Sequence, residues 1–269
     1  MRTVKYFFCF SALYLLPGWQ AAPGDELCGL HNLTTRDGEE INYTVFYSVA
    51  GMYVHAGSAT FTNRLEKLDG KPVFHVIGIG GSNSKYDWIY KVRDLYESFI
   101  DTVTMQPLKF VRNIEEGRVK KYENVRFNRA VNTAVTDSGV FKVPACIQDV
   151  MSTVYAARNI NFTRFKMGEK IPFRMFLENE VHELYIRYLG RETVKTRYGK
   201  FKAIKFKPLL VPGTIFNGGE QMTVWVSDDE NRVPVRIESS ILIGSIKVDM
   251  TGYRNLRYPL SSLEKQKAK

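Results

Sequence analysis

From residue 40 to residue 253 the chain alternates apolar and polar residues in short runs that end at turn formers. A period of two is the signature of strands with one dry and one wet face. Ile41, Tyr43, Val45, Tyr47 and Val49 alternate with Asn42, Thr44 and Ser48, and Phe46 alone breaks the pattern. Similar runs cover 53–61, 73–79, 93–100, 108–114, 118–127, 171–177, 181–196, 201–209, 222–226, 233–237 and 245–253. Between the runs, Asp37-Gly38, Asp69-Gly70, Glu116-Gly117, Asp137-Ser138-Gly139, Tyr198-Gly199 and Asp228-Asp229-Glu230-Asn231 supply the chemistry of tight turns. Few gaps are long enough for a helical crossover, so about a dozen strands in antiparallel meander order are expected.

One segment departs from this period. Ile147, Val150, Met151, Val154 and Tyr155 recur at helical spacing, with Gln148, Asp149, Ser152 and Thr153 on the other face, which predicts an amphipathic helix of about three turns over 147–159. The expected fold is mainly β. It is a strongly curved antiparallel sheet, or open β-barrel, whose concave face is partly filled by the helix, or else two half-barrels joined about it. The 17 Phe, 15 Tyr and 3 Trp are numerous enough to fill such an interior. With 44% hydrophobic and 25% charged residues the chain is not of the disordered class, and its 20 Gly and 10 Pro follow no repeat. No composition shift marks a boundary. We therefore read 22–260 as a single domain with an internal joint at 144–168, followed by a frayed basic tail at 261–269.

Residues 1–21 have the layout of a secretory signal peptide: Arg2 and Lys5, an uncharged run from Tyr6 to Leu16, then Pro17-Gly18 and the small pair Ala21-Ala22. The apolar run has about eleven residues, short of the ~20 that span a bilayer as a helix. The mature protein is thus expected to be exported and not integral to the membrane. Removing the leader takes the formal net charge from +10 to about +8. It leaves Cys28 and Cys146, which in an oxidising compartment are expected to pair; the alternative is two buried free thiols.

Motifs for chemistry are mostly absent. His182-Glu183 opens like a zinc protease signature, but Ile186 occupies the place of the second ligand. Gly78, Gly80 and Gly81 follow a strand without the helix or residues that would bind a nucleotide. Ser82 with Lys85, and Ser262 with Lys265, have serine–lysine spacing without the other partners such enzymes need. Cys146 as a nucleophile is a weaker reading than a disulfide or a quiet buried thiol. His31, His55, His75 and His182 are dispersed. Asp228-Asp229 could share a proton or hold calcium, although a hairpin turn explains the pair more simply.

The basic stretch Lys195, Arg197, Lys200, Lys202, Lys205 and Lys207 is interleaved with Tyr198, Phe201 and Phe206, and reads first as a solvated sheet face. Its second reading is contact with an anionic surface, either lipid headgroups or acidic polysaccharide. Export argues against nucleic acid. Asn32, Asn42 and Asn161 open patterns that have the form of glycosylation acceptors.

Three stretches carry a resemblance. They are Asp87-Trp88-Ile89-Tyr90-Lys91-Val92-Arg93-Asp94 with Tyr96-Glu97-Ser98, Pro107-Leu108-Lys109-Phe110 and Glu115-Glu116-Gly117; Asp149-Val150-Met151-Ser152 with Tyr155 and Arg158-Asn159; and Trp225-Val226-Ser227-Asp228-Asp229 with Arg232-Val233-Pro234-Val235-Arg236 and Gly244-Ser245. With them the chain resembles an exported bacterial family, the domain of unknown function 3108 (DUF3108). The likeness implies a secreted or periplasmic β-rich domain and brings no activity, cofactor or catalytic residue with it. The family also looks similar in architecture to envelope lipoprotein carriers built as an open barrel over a helix. The expected function is therefore non-enzymatic, in the periplasm or cell envelope: binding of an apolar, lipid-like or amphipathic ligand, or of an envelope protein, without a cofactor, a metal or nucleic acid. The alternative is a hydrolase of an envelope polymer, for which acids such as Asp87, Asp94 or Asp228 would have to meet a histidine in one cleft.

Overall fold

In a computed structural model of the chain we describe residues 26–49, 52–213, 216–241 and 243–264. The expected leader, 1–21, lies outside the described residues. The alternating runs form one 14-stranded sheet. A first meander comprises β1 (Glu40–Val49), β2 (Met52–Leu68), β3 (Lys71–Ser82), β4 (Val92–Asp101), β5 (Pro107–Glu116), β6 (Val119–Asn128), β7 (Thr133–Thr136) and β8 (Gly139–Lys142). A second comprises β9 (Lys170–Leu177), β10 (Glu180–Lys195), β11 (Lys200–Pro208), β12 (Met222–Ser227), β13 (Pro234–Ser240) and β14 (Ser245–Arg254). The two join where β1 pairs antiparallel with β14, as in Tyr43 opposite Met250 and Val45 opposite Val248. β8 and β9 are then the two ends of the sheet.

The sheet curls until these ends approach, without closing into a barrel. Side chains bridge the seam in place of a backbone ladder. Thr136 Oγ1 donates to Asn179 Oδ1 at 3.0 Å, Arg112 Nη2 donates to Glu178 Oε1 at 2.8 Å, and Phe176 packs on Phe127 and Phe141 with ring centres 6.2 and 5.7 Å apart. An open sheet end is a row of unpaired backbone groups, a template for aggregation. β9 is covered. Gln148 N donates to Arg174 O at 3.0 Å, Phe176 N donates to Gln148 O at 2.8 Å, and Glu26 N donates to Pro172 O at 3.2 Å. Cys28 and Cys146, bonded to each other with Cα atoms 5.2 Å apart, tie the two covering segments together.

The helix differs from expectation. It spans Val150–Ala157, about two turns, because Asp149 ends the extended segment as an N-cap and Ser152 completes a capping box. Ile147 and Gln148 lie before it, held along β9. Of the expected polar face, Gln148, Asp149 and Ser152 are fully buried and Thr153 is half-buried, since the curled sheet encloses the helix on more than one side. Asp149 stays satisfied there. It accepts from Ser152 N at 2.7 Å and from Ser98 Oγ on β4 at 2.6 Å. Burial pushes its carboxyl up to about 6, against the opposing effect of these hydrogen bonds.

Around the helix, Met151, Tyr155, Ala156 and Ile160 merge with Phe74, Val76, Ile100, Phe110, Ile171, Phe173, Ile186, Tyr188, Ile204 and Phe206 into one core that reaches both meanders. Gly78 on β3 allows the close approach, since a Cβ there would come within 3.0 Å of Met151 Cε and of the Phe61 ring. Just past the helix, Arg158 is buried with Glu39, donating through Nη1 and Nη2 at 2.6 and 2.8 Å and through Nε to Asn231 O at 3.0 Å. A second core gathers Ile41, Tyr43, Phe201, Ala203, Trp225, Val233, Val235 and Met250 about the β1–β14 join.

Two further expectations are corrected. β7 and β8, each of 4 residues, went unread between 127 and 144. The tail expected to fray from 261 instead begins ordered: Ser262 is buried, its O accepts from Lys202 N at 2.9 Å, and Glu264 N donates to Lys200 O at 2.8 Å. Residues 265–269 lie outside the described residues.

Candidate functional site

The concave side of the sheet is where an apolar ligand would be sought, and around the helix it is occupied by the protein's own packed side chains. An open groove of about 660 Å³ lies elsewhere, between the β2–β3 turn and the β6–β7 turn, lined in part by Leu68, Leu108, Phe127 and Val135. Attention therefore moves to the end of the sheet formed by the β1–β2, β3–β4, β5–β6 and β13–β14 connections. That end carries two features, a buried acid pair just inside it and an apolar crown upon it.

The acid pair comes from neighbouring strands. Asp94 on β4 faces Ile114 on β5, and Val92 faces Glu116, so the two carboxyls are diagonal neighbours on one face. Tyr96 and Arg112 are the next pair along. Burial, then the neighbouring Glu116 carboxylate, pushes Asp94 up to about 7. Burial also raises Glu116, with Arg112 opposing. Asp94 Oδ1 and Glu116 Oε2 are buried without a donor from the rest of the protein. One proton shared between the two carboxyls satisfies both atoms. Arg112, itself buried, is committed to Glu123 at 2.6 Å and Glu178 at 2.8 Å, and Lys121 also reaches Glu178 at 2.5 Å. On the other side of Asp94 the facing residue is Gly80, beside which the space is open. The arrangement can hold or release a proton.

The crown is built by the segment between β3 and β4. Ser82 Oγ donates to Asp87 Oδ1 at 2.6 Å and accepts from Val92 N at 2.9 Å, while Arg93 Nη2 donates to Asp87 Oδ2 at 2.5 Å. Asn83 caps the short turn Ser84–Tyr86, accepting from Lys85 N, and its own N–H donates to Ala56 O at 2.7 Å. Tyr90 lies against Gly117 of the β5–β6 turn. This clasp holds Trp88 and Ile89 out from the protein, 82% and 63% exposed. Alongside, Met52, Tyr53 and Val54 at the start of β2 and Ile243 in the β13–β14 turn are also exposed. Lys247 Nζ sits 4.0 Å from the centre of the Tyr53 ring, which places the start of β14 beside the start of β2.

The residues flagged from sequence do not converge. Asp87 is engaged by Arg93 at the crown, and Asp228 pairs with Arg191 at the opposite end of the sheet. Asp229 accepts from Ser227 Oγ, Asn231 N and Ser262 N, so it organises the β12–β13 turn. His75 lies between Glu66 and Glu97 and stacks on Phe99, His55 meets Gly57 O, His182 meets Leu177 O, and His31 is exposed on the N-terminal arm. Among the described residues no group of three ligating side chains could hold a metal. Ser82 is bonded to Asp87 while Lys85 lies over the Tyr86 ring, so the serine–lysine spacing is not a dyad. In the basic stretch, Lys205 pairs with Glu192, Lys200 with Glu264, and Arg197 lies over Phe46.

Sequence reasoning missed the Asp94–Glu116 pairing, which depends on strand register. The crown did leave a trace. Trp88-Ile89-Tyr90 is a run of consecutive large apolar residues outside the alternation, and only Tyr90 of the three packs on a neighbouring turn.

A curved, unclosed antiparallel sheet wrapped over a helix defines a class of barrel-like β proteins. Residues 42–251 match the family described as "Protein of unknown function (DUF3108)", and the chain belongs to that family. Among solved structures it is similar to a beta-barrel-like protein of domain of unknown function DUF1849 from Brucella abortus, at 7% identity and a TM-score of 0.56, covering 84% of this chain and 99% of that one. It is also similar to a putative exported protein with a YmcC-like fold from Bacteroides fragilis, at 11% identity and a TM-score of 0.29, covering 84% and 100%. A DUF1329 family protein from Desulfovibrio piger matches at 10% identity and a TM-score of 0.27, covering 84% and 87%. No curated protein matches the sequence. Among the described residues no helix is long and apolar enough to cross a membrane.

Proposed function

We propose that the protein is exported to the periplasm or cell envelope and binds there without catalysis, and that its binding end is the crown bearing Trp88 and Ile89. The observation that carries this reading is the clasp of Ser82, Asp87 and Arg93, which fixes two large apolar side chains in water. Exposing a Trp and an Ile forgoes about 1.5–3 kcal/mol for each side chain that could have been buried, so a rigid loop dedicated to showing them points to a partner that covers them. The leader-like start and the Cys28–Cys146 bond support an oxidising compartment. With the concave side packed, an amphipathic ligand or envelope partner meets the crown and not an internal cavity.

Titration with the apolar fluorophore 1-anilinonaphthalene-8-sulfonate tests the binding end. The native protein should bind it saturably, and Trp88→Ser with Ile89→Ser should abolish that binding while leaving the melting temperature unchanged. Equal binding by the double variant would remove the reading. For the location, mass spectrometry of the protein recovered from a periplasmic fraction should find a chain shortened by the leader.

A further inference from the structure

We infer that the partner of the crown is the surface of an anionic phospholipid bilayer. The inference rests on the crown being the binding end and names what it binds. Three observations favour lipid over a folded protein surface.

The first is composition. The exposed set of Trp88, Ile89, Met52, Tyr53, Val54 and Ile243 mixes aromatic rings that suit the headgroup level with aliphatic chains that suit the acyl boundary beneath it. The second is placement. These side chains come from the start of β2, the β3–β4 connection and the β13–β14 turn, which lie at one end of the sheet, so the strands behind them can stay in water while that end meets an interface.

The third is charge. The crown loop carries Lys85 and Lys91 against Asp87, Arg93 follows at the start of β4, and Lys247 lies over Tyr53. The nearby acids are answered locally: Asp87 by Arg93, and Glu115 by Lys91 and Lys120. Lys85 and Arg118 are exposed beside the tips. Basic residues beside interfacial aromatics are what an anionic leaflet attracts. The net charge, about +8 without the leader, adds a long-range pull toward such a surface.

Trp88 reports on its own insertion, because Trp225 is buried and Trp88 is the exposed tryptophan among the described residues. The protein should co-sediment with vesicles of phosphatidylcholine containing about 30% phosphatidylglycerol, and more weakly with phosphatidylcholine alone. Trp88 emission should shift to the blue and be quenched by lipids brominated along the acyl chain. Trp88→Phe should keep most of the binding and lose the quenching. Trp88→Ser with Ile89→Ser should weaken partitioning at least about tenfold. Lys85→Glu should weaken binding to the anionic vesicles about threefold and leave the neutral ones unchanged. No sedimentation with either composition, or unaltered binding by the double variant, would overturn the inference. So would a dimer in sedimentation equilibrium that buries Trp88 and is lost in the double variant. If vesicles fail while the fluorophore still binds at the crown, the lipid assignment falls and the crown remains a binding end for another partner.

Discussion

Arg158 and Glu39 stand 119 residues apart in sequence, and both side chains are withdrawn from water almost completely, 2% and 0% exposed. Such a pair adds little over apolar residues of the same shape but is costly to break, since removing one partner strands the other's charge. Glu39→Gln should lower the unfolding free energy by about 3–5 kcal/mol in urea titrations, and Glu39→Leu with Arg158→Leu should lower it by less. At Asp94 the folded state holds a proton more tightly than the unfolded chain, whose carboxyl titrates near 3.8, so stability is full at low pH and falls as pH rises toward and through about 7. Asp94→Asn, which donates to Glu116 at every pH, should flatten that loss. After solvent screening the gain at pH 8 should be about 1–2 kcal/mol, a rise in melting temperature of about 2–6 °C that shrinks as pH falls below about 7 and is absent near pH 3. Neither pair was legible in advance. Glu39 and Arg158 meet through the curl of the sheet, and Asp94 meets Glu116 through a register that no local pattern specifies.

Among the elements, the cover on β9 and the helix cap carry the sharpest expectations. Gln148 lies on β9 because Cys146 is fastened to Cys28 and the N-terminal arm. Cys28→Ser with Cys146→Ser should cost about 4 kcal/mol in the chain-entropy account of a loop this long. It should also speed hydrogen exchange of the Phe176 amide well before that of the β1–β14 amides. Asp149→Ala removes the helix cap and the bond to Ser98 together and should cost about 2–4 kcal/mol, read from the urea midpoint. The long strands, β2, β3 and β10, were readable because many alternating residues repeat one statement. β7 and β8 were not, because in Thr-Ala-Val-Thr and Gly-Val-Phe-Lys four residues cannot separate a strand from a turn. The helix was read on the concave side of a curved sheet, as found, but about one turn too long and without the burial of Gln148, Asp149 and Ser152. Spacing identifies which residues share a face; only the sheet's curvature decides whether the opposite face is wet.

At the scale of the molecule, the meander order, the mainly β class and the single helix at the joint were all present in the sequence, since each follows from local periods and gap lengths. The seam was not. It is held by side chains of the β9–β10 turn, where Glu178 takes Arg112 and Lys121 and donates its own N–H to Glu123 Oε1 at 2.7 Å. Glu178→Ala should therefore loosen the seam, seen as faster exchange in β7 and β8, with a fall of about 1–3 kcal/mol in stability. The pairing of β1 with β14 sets a further condition on how the protein comes into being. The first strand to be made waits for the last, and at ribosomal speeds of about 5–20 residues per second that wait is about 10–40 s. During it β1 has β2 on one flank and nothing on the other. Until β14 is made, that open flank is what a chaperone would have to shield.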